Sequence, residues 1–315
     1  MKSFFQTYGT LAALIALITF FSISAAGFVN IVNLINILKN VSFLILLALG
    51  FTCAMITSEL DLSFANIASL CSVVTAALLY DGYPVIVGIV ACLLLGTAAG
   101  VLNGLLITRL KIPSLITTLA TGTIASGLAF MLTGGIAYVG KLPGVFLFLG
   151  RGVIFRLPVM IVWVAIAVIA LLFFFKQFKL GAHLVGTGES EEAALLAGIS
   201  VKKMKTLGMT LSGFLAAVGG LLLTANLSSS NADIADGYLM QGIAVVLLGM
   251  TTIEPGKANI CGTVIGAVMI GVLTNGLTLL GAQYYYQDII LGLIILGSVS
   301  VSASFMTRAA FGVAS

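Results

Sequence analysis

Apolar residues run along this chain in long blocks, separated by brief clusters of Gly, Pro, Asn and charged residues. A helix needs about 20 consecutive apolar residues to cross about 30 Å of hydrocarbon. Blocks of that order fall at about 8–26, 41–57, 62–79, 85–107, 114–133, 158–175, 206–226, 239–252, 260–280 and 288–306. With no water in a bilayer core, a spanning segment must satisfy its backbone internally, which a helix does. The pattern predicts an all-α polytopic membrane protein with about ten transmembrane helices. The second and eighth blocks are short for full spans. Either can be broken or re-entrant where protein or a cavity covers the backbone. The first block follows Lys2 and ends near Ser24-Ala25-Ala26, which resembles a cleavable leader. Nine further apolar segments favour an uncut anchor.

Composition narrows the class. Of the 315 residues, 60% are hydrophobic and 8% charged, whereas a soluble domain carries about 25% charged residues. That scarcity excludes a soluble globular enzyme, and the mean hydropathy of +1.23 agrees. The polar interruptions leave short loops and no room for a soluble catalytic domain. No linker divides the chain, so residues 1–315 read as a single transmembrane domain. Cys53, Cys71, Cys92 and Cys261 lie inside apolar stretches and form no CxxC pair, which reads as small buried hydrophobes.

The placement of the positive charges sets the orientation. With the N-terminus inside and ten spans, the inside segments hold ten Lys and Arg, from Lys2 to Arg308. The outside segments hold four: Lys39, Lys141, Arg151 and Arg156. The bias places both termini in the cytoplasm.

Several features bear on chemistry. Gly96, Gly100 and Gly104, extended by Gly88 and Cys92, make a smooth ridge on a helix, and Gly262 with Gly266 makes another. Close helix packing is the reading. The resemblance between Gly100-Val-Leu-Asn-Gly104 and Gly271-Val-Leu-Thr-Asn-Gly276 is compatible with an internal repeat, or with chance in a Gly/Leu-rich chain. Acidic residues at span ends are Glu59, Asp61, Asp81, Asp233, Asp236 and Asp288. Asp61 is the strongest functional candidate, although helix capping explains a carboxylate at a helix start without a substrate. Asn66, Asn103, Asn226, Asn275 and Gln283, with Tyr284 near the mouth, could line a solute path, because amides offer both donors and acceptors. Interhelical hydrogen bonding is the competing role. No second acidic cluster accompanies Asp233 and Asp236, and His183 stands alone, so no metal site is expected. No GxxxxGK[ST] occurs, so the chain has no ATP site of this type.

The inside segment at about 176–205 is the most informative. It holds five lysines and three glutamates, eight of the 24 charged residues. Thr187 or Ser190 can cap a short helix over about 189–197, Glu189, Glu191 and Glu192 suit its positive end, and Gly198 can stop it. So short a helix gains little by itself. It is either docked into a partner's groove or a solvated connector.

These residues resemble a known family. Glu192-Ala193-Ala194-x-x-x-Gly198 is similar to the EAA loop of ABC importer permeases. The wider resemblance is to the permeases of ribose/xylose/arabinose-type importers, and it covers roughly residues 40–300. It runs through Ala48-Leu-Gly50, Leu60-Asp61-Leu-Ser63, Leu102-Asn-Gly104, Lys111-Ile-Pro113 and Thr117-Thr-Leu119. It continues through Gly198-Ile199, Leu211-Ser-Gly213, Gly262-Thr263, Asn275-Gly276-Leu277 and Leu279-Leu-Gly281. There are departures. Ser58-Glu59 replaces two glycines, Glu189-Ser190 replaces Gly-Asn, and Met250, Pro255 and Ala258 interrupt a glycine-rich stretch.

The resemblance implies a non-catalytic inner-membrane permease subunit importing a monosaccharide, pentose or hexose, or a similar polyhydroxylated solute. It implies cytoplasmic ABC ATPase subunits, which bind the ATP and Mg, docking on Glu189, Glu191, Glu192, Ala193, Ala194 and Gly198. It also implies a second permease, as a homo- or heterodimer, and an extracytoplasmic sugar-binding protein. No cofactor in this chain and no nucleic acid are expected. The alternative is a gradient-driven carrier of the drug/metabolite type, which needs buried titratable residues. A membrane enzyme is disfavoured, since no paired acids or nucleophile motif is present.

Overall fold

Four of the five prolines, Pro84, Pro113, Pro143 and Pro158, stand immediately before the first residue of a helix. Proline has no N–H to lose there, and its fixed φ suits helix entry. The computed structural model describes residues 2–155 and 157–303. Arg156, Arg308 and the end of the last predicted block lie outside the described residues.

The first helices are α1 (Lys2–Ser24), α2 (Ile31–Met55), α3 (Phe64–Tyr80), α4 (Val85–Leu110) and α5 (Ser114–Thr133). Strand β1 (Tyr138–Val139), helix α6 (Gly144–Arg151) and strands β2 (Val153–Ile154) and β3 (Leu157–Pro158) follow. Then come α7 (Val159–Gln177), α8 (Lys179–Glu189), α9 (Glu191–Leu196), α10 (Val201–Leu227) and β4 (Ser229–Ser230). The chain continues through α11 (Gly237–Gly249), α12 (Ile260–Leu279) and α13 (Tyr284–Ala303). Each predicted apolar block falls on a helix, and among the described residues six helices are long and apolar enough to cross a membrane: α2, α4, α5, α7, α10 and α12. Helices α3 and α11 are shorter, at 17 and 13 residues. The few strand residues form two antiparallel pairs, β1 with β4 and β2 with β3.

Several boundaries differ from the sequence expectation, and α1 already begins at Lys2 rather than 8. Helix α2 begins at Ile31 rather than 41, and α10 begins at Val201 rather than 206. Polar side chains such as Asn33, Lys39, Lys202 and Lys203 interrupt hydropathy there without interrupting the helix. The short helix expected between the sixth and seventh spans runs 191–196 rather than 189–197, and a second helix, α8, precedes it.

The described residues form two compact units. One comprises Leu49–Leu239. Its centre is α3, wrapped by α4, α5 and α10, with Phe64, Ile67, Ala68 and Cys71 fully enclosed. Helices α4 and α10 touch along the glycine ridge. A Cβ on Gly96 would fall on the Gly213 carbonyl and the Ala217 side chain, one on Gly100 on the Met209 carbonyl, and one on Gly104 on Thr206. Only bare backbone lets the axes approach this closely. Cys92 extends the seam, its thiol reaching the Ala217 carbonyl at 3.3 Å. Helix α6 folds back on α10, where Gly150 lies against the backbone of Ala225 and Asn226.

The other unit comprises the residues up to Ala48 and those from Met240 onward. Gly262 and Gly266 of α12 meet the carbonyls of Gly249 and Val245. Gly276 leaves room for the Phe21 ring of α1, and Gly271 for Val41. Both predicted glycine ridges are therefore packing surfaces.

Candidate functional site

The segment between α7 and α10 is built as two helices, α8 and α9, separated at Ser190, whose backbone is extended. Residues Gly181, Leu184 and Thr187 give α8 one buried face at helical spacing. The Thr187 hydroxyl donates to the His183 carbonyl at 2.7 Å and does not cap the next helix. Ser190 caps it instead, its Oγ accepting from Ala193 N–H at 3.2 Å. Glu191 and Glu192 occupy the first turn of α9, where the free N–H groups favour negative charge. Gly198 takes φ +77°, the left-handed conformation that closes a helix, and Ile199 N–H bonds back to the Ala194 carbonyl at 2.9 Å. Of the residues singled out from sequence here, Ala194 is buried, while Glu189, Glu191, Glu192, Ala193 and Gly198 are exposed. The adjoining Leu195 and Leu196 are 61% and 91% exposed. Two leucines bared on a helix of a polar segment form an apolar tip that no described residue covers.

The end of α8 rests on the break between α2 and α3. Ser58, in that break, has φ +60°, a conformation glycine adopts without cost. It occupies one of the two positions where the resembling family has glycine. Its hydroxyl donates to the Gly188 carbonyl at 2.9 Å, and Gly188 lies so close to the Ile56 carbonyl that a Cβ could not fit. Glu59, at the second position, forms an ion pair with Lys205 of α10 at 2.7 Å. Lys205 also pairs with Glu191 of α9. Sequence reading missed this triad, because Glu59, Glu191 and Lys205 show no local spacing. The available signal was a glutamate standing where a glycine was expected.

A buried polar cluster begins two residues further on. Asp61 is fully buried, and its Oδ1 accepts from Ser63 N–H at 2.9 Å and from Ser63 Oγ at 2.5 Å. Ser63 is the residue before α3, and its hydroxyl serves Asp61 rather than capping the helix. Asn103 of α4, also fully buried, donates to Ser63 Oγ at 2.9 Å. Asp61 Oδ2 and Asn103 Oδ1 have no hydrogen-bond partner. Each such acceptor costs about 1–3 kcal/mol. The cluster is therefore held in place by the helices around it. Leu60 and Leu62 N–H groups are met by Ser114 and Thr118 of α5, which completes the frame of the break.

The remaining path candidates are dispersed. Asn66 donates to the Gly122 carbonyl at 3.0 Å, joining α3 to α5. The Asn226 carbonyl accepts from Arg151 Nε at 2.5 Å. In the other unit, Asn275 and Asn33 exchange a pair of amide hydrogen bonds at 2.9 Å. Gln283 and Tyr284 are exposed. Within the Leu49–Leu239 unit Asp61 and Asn103 meet through Ser63, and Asn66, Asn103 and Asn275 all bond between elements. In the loop before α11, burial and the neighbouring Asp233 carboxylate raise Asp236 above its ordinary value. Among the described residues no group of His, Cys, Asp and Glu could hold a metal ion.

The chain is 34% identical over 264 residues to the ribose import permease protein RbsC of Bacillus subtilis, covering 83% of this chain and 82% of that protein. The Escherichia coli K12 ribose import permease is 33% identical over 269 residues, 84% and 83% of the two chains. The autoinducer 2 import permease LsrC of Yersinia enterocolitica is 28% identical over 258 residues, 82% and 71%. No solved structure matches the chain. A family model described as the permease component of branched-chain amino acid transport systems matches residues 33–299. The chain thus belongs to this family of ABC importer permeases, as a non-catalytic multi-pass subunit of the inner membrane.

Proposed function

We propose that this permease carries a monosaccharide, pentose or hexose, or a similar small polyhydroxylated solute into the cytoplasm. The solute is received from an extracytoplasmic binding protein. The two units act as one transmembrane domain of ten spans with both termini inside, paired with a second permease. ATP and Mg stay on partner ATPase subunits, and α9 with the end of α8 is the coupling element they grip. The observation that carries this reading is the bared Leu195–Leu196 tip beside Glu191 and Glu192, linked to the α2–α3 break through Lys205 and through Gly188 at the end of α8. The substrate class follows the ribose and autoinducer 2 permeases rather than the amino-acid wording of the family description.

The test is reconstitution with its ATPase and binding protein. Leu196→Asp is expected to lower solute uptake and binding-protein-stimulated ATP hydrolysis at least about tenfold, in the range of energetic coupling between sites. Membrane insertion should be unchanged, since Leu196 has almost no contacts to lose. Full stimulation in this variant removes the coupling assignment. Uptake of a branched-chain amino acid but of no pentose or hexose overturns the substrate class.

A further inference from the structure

The ion triad at the foot of α10 has unequal arms. The Glu59 side chain is 8% exposed and that of Lys205 15%, whereas Glu191 is 51% exposed. Exposed pairs are weak, screened and readily broken, whereas a buried charge left without its partner is costly. Lys205 can therefore release Glu191 and remain neutralised by Glu59. It cannot easily release Glu59. The three residues come from three elements: the coupling helix α9, the first turns of α10 and the α2–α3 break. Glu59 is two residues from Asp61, which holds Ser63, which in turn holds Asn103 of α4. A continuous set of contacts thus runs from the surface of α9 to a fully buried polar cluster.

We propose that Lys205 is the positioning residue of the coupling step, with Glu59 as its permanent partner and Glu191 as its exchangeable one. Movement of α9 under an ATPase subunit makes or breaks the Glu191 arm. Lys205 converts that movement into a changed pull on the α2–α3 break and on the Asp61–Ser63–Asn103 cluster above it. Ser58, bonded to the Gly188 carbonyl, fixes the end of α8 to the same break, so the two helices act on one point. The inference rests on the coupling role proposed for α9, and its test separates the two.

The test uses the reconstituted transporter with four variants: Lys205→Met, Lys205→Arg, Glu59→Gln and Glu191→Gln. Lys205→Met is expected to keep the ATPase attached and basal hydrolysis and its KM for ATP unchanged, while stimulation by the loaded binding protein falls about tenfold. Lys205→Arg, which keeps the charge, retains most of the stimulation. Glu59→Gln and Glu191→Gln each lose stimulation. Their double variant is no worse than the poorer single, because both cut one relay. Multiplying effects in the double variant, or full stimulation in either single, overturns the proposal; the two Gln variants decide it even if Lys205→Met fails to fold. Leu196→Asp distinguishes the readings. If it uncouples while the Gln variants do not, α9 couples without this relay. If it too is fully stimulated, the coupling role of α9 itself is wrong.

Discussion

Helix α10 is held in two opposite ways along its length. From Thr206 to Ala217 it lies against α4 through glycines, with backbone on backbone. At the adjoining residue, Lys205, it is held by side-chain charges to Glu59 and Glu191. A seam of bare backbone has no side chain to swing aside and no alternative packing at the same spacing, so α4 and α10 move together or not at all. An ion pair with one exposed partner breaks and reforms without disturbing the fold. A transporter needs both: a stiff body, and a contact at its edge that can be exchanged. The difference places rigidity in the membrane-depth glycines and responsiveness in the first turns below them.

The strongest way to break this division is to force the seam apart. Gly100→Val puts a branched side chain where the Met209 carbonyl and the Thr210 backbone already stand. Overpacking of this kind costs about 1–3 kcal/mol, and more where backbone must separate. The expected result is a clear drop in the thermal midpoint in detergent and little folded protein. Gly127→Val on α5 is the control, since a Cβ there meets nothing within 4 Å. Equal melting of the two variants would mean that the seam is softer than its geometry indicates.

A smaller effect is expected at the cluster that joins the two regimes. Asn103→Leu removes the donor to Ser63 Oγ and also a buried Oδ1 that has no partner. The two changes oppose each other, so stability should shift by only about 1 kcal/mol. Uptake should fall severalfold if the cluster belongs to the working machinery of the permease. Uptake and melting that both match the unmodified protein would reduce Asn103 to a filler of the α3–α4 interface.

The same contrast explains what the sequence disclosed and what it hid. Membrane-depth helices and glycine ridges are written locally, as apolar runs and four-residue spacings, because the bilayer imposes both. Helix α8 was hidden because Gly181, Gly186 and Gly188 are poor helix formers, yet buried Leu184 and Thr187 hold it against its neighbours. Helix α6 was hidden for a related reason. Its buried Phe146 and the close fit of Gly150 are tertiary features with no periodic signature in eight residues. Lys202, Lys203 and Lys205 lower hydropathy and so delayed the expected start of α10, although lysine is a good helix former. The triad is the extreme case. Lys205 lies 146 positions from Glu59, and no pattern along the chain joins them. Asn103 and Asn275 were legible as polar residues in apolar helices, but their partners, Ser63 and Asn33, emerged only from the fold.

The smallest effect, and the most discriminating, is expected at Ser190. Its Oγ accepts the Ala193 N–H and starts a helix of only six residues. Loss of such a cap costs about 1 kcal/mol. On a long buried helix that would pass unnoticed. On α9, where so short a helix has little stability of its own, it is a large share of what keeps the Leu195–Leu196 tip and Glu191 in place. Ser190→Ala should therefore leave the global melting midpoint unchanged, because the α4–α10 seam does not depend on it. Amide exchange over Glu191–Leu196 should rise about fivefold, the equivalent of 1 kcal/mol. Stimulated ATP hydrolysis should fall by a factor of about two to five, and Ser190→Thr, which retains a capping hydroxyl, should recover most of it. Unchanged exchange over Glu191–Leu196 would mean that α9 is held by its ion pair and by α8 rather than by its cap. The responsive region would then be stiffer than the division between seam and triad requires.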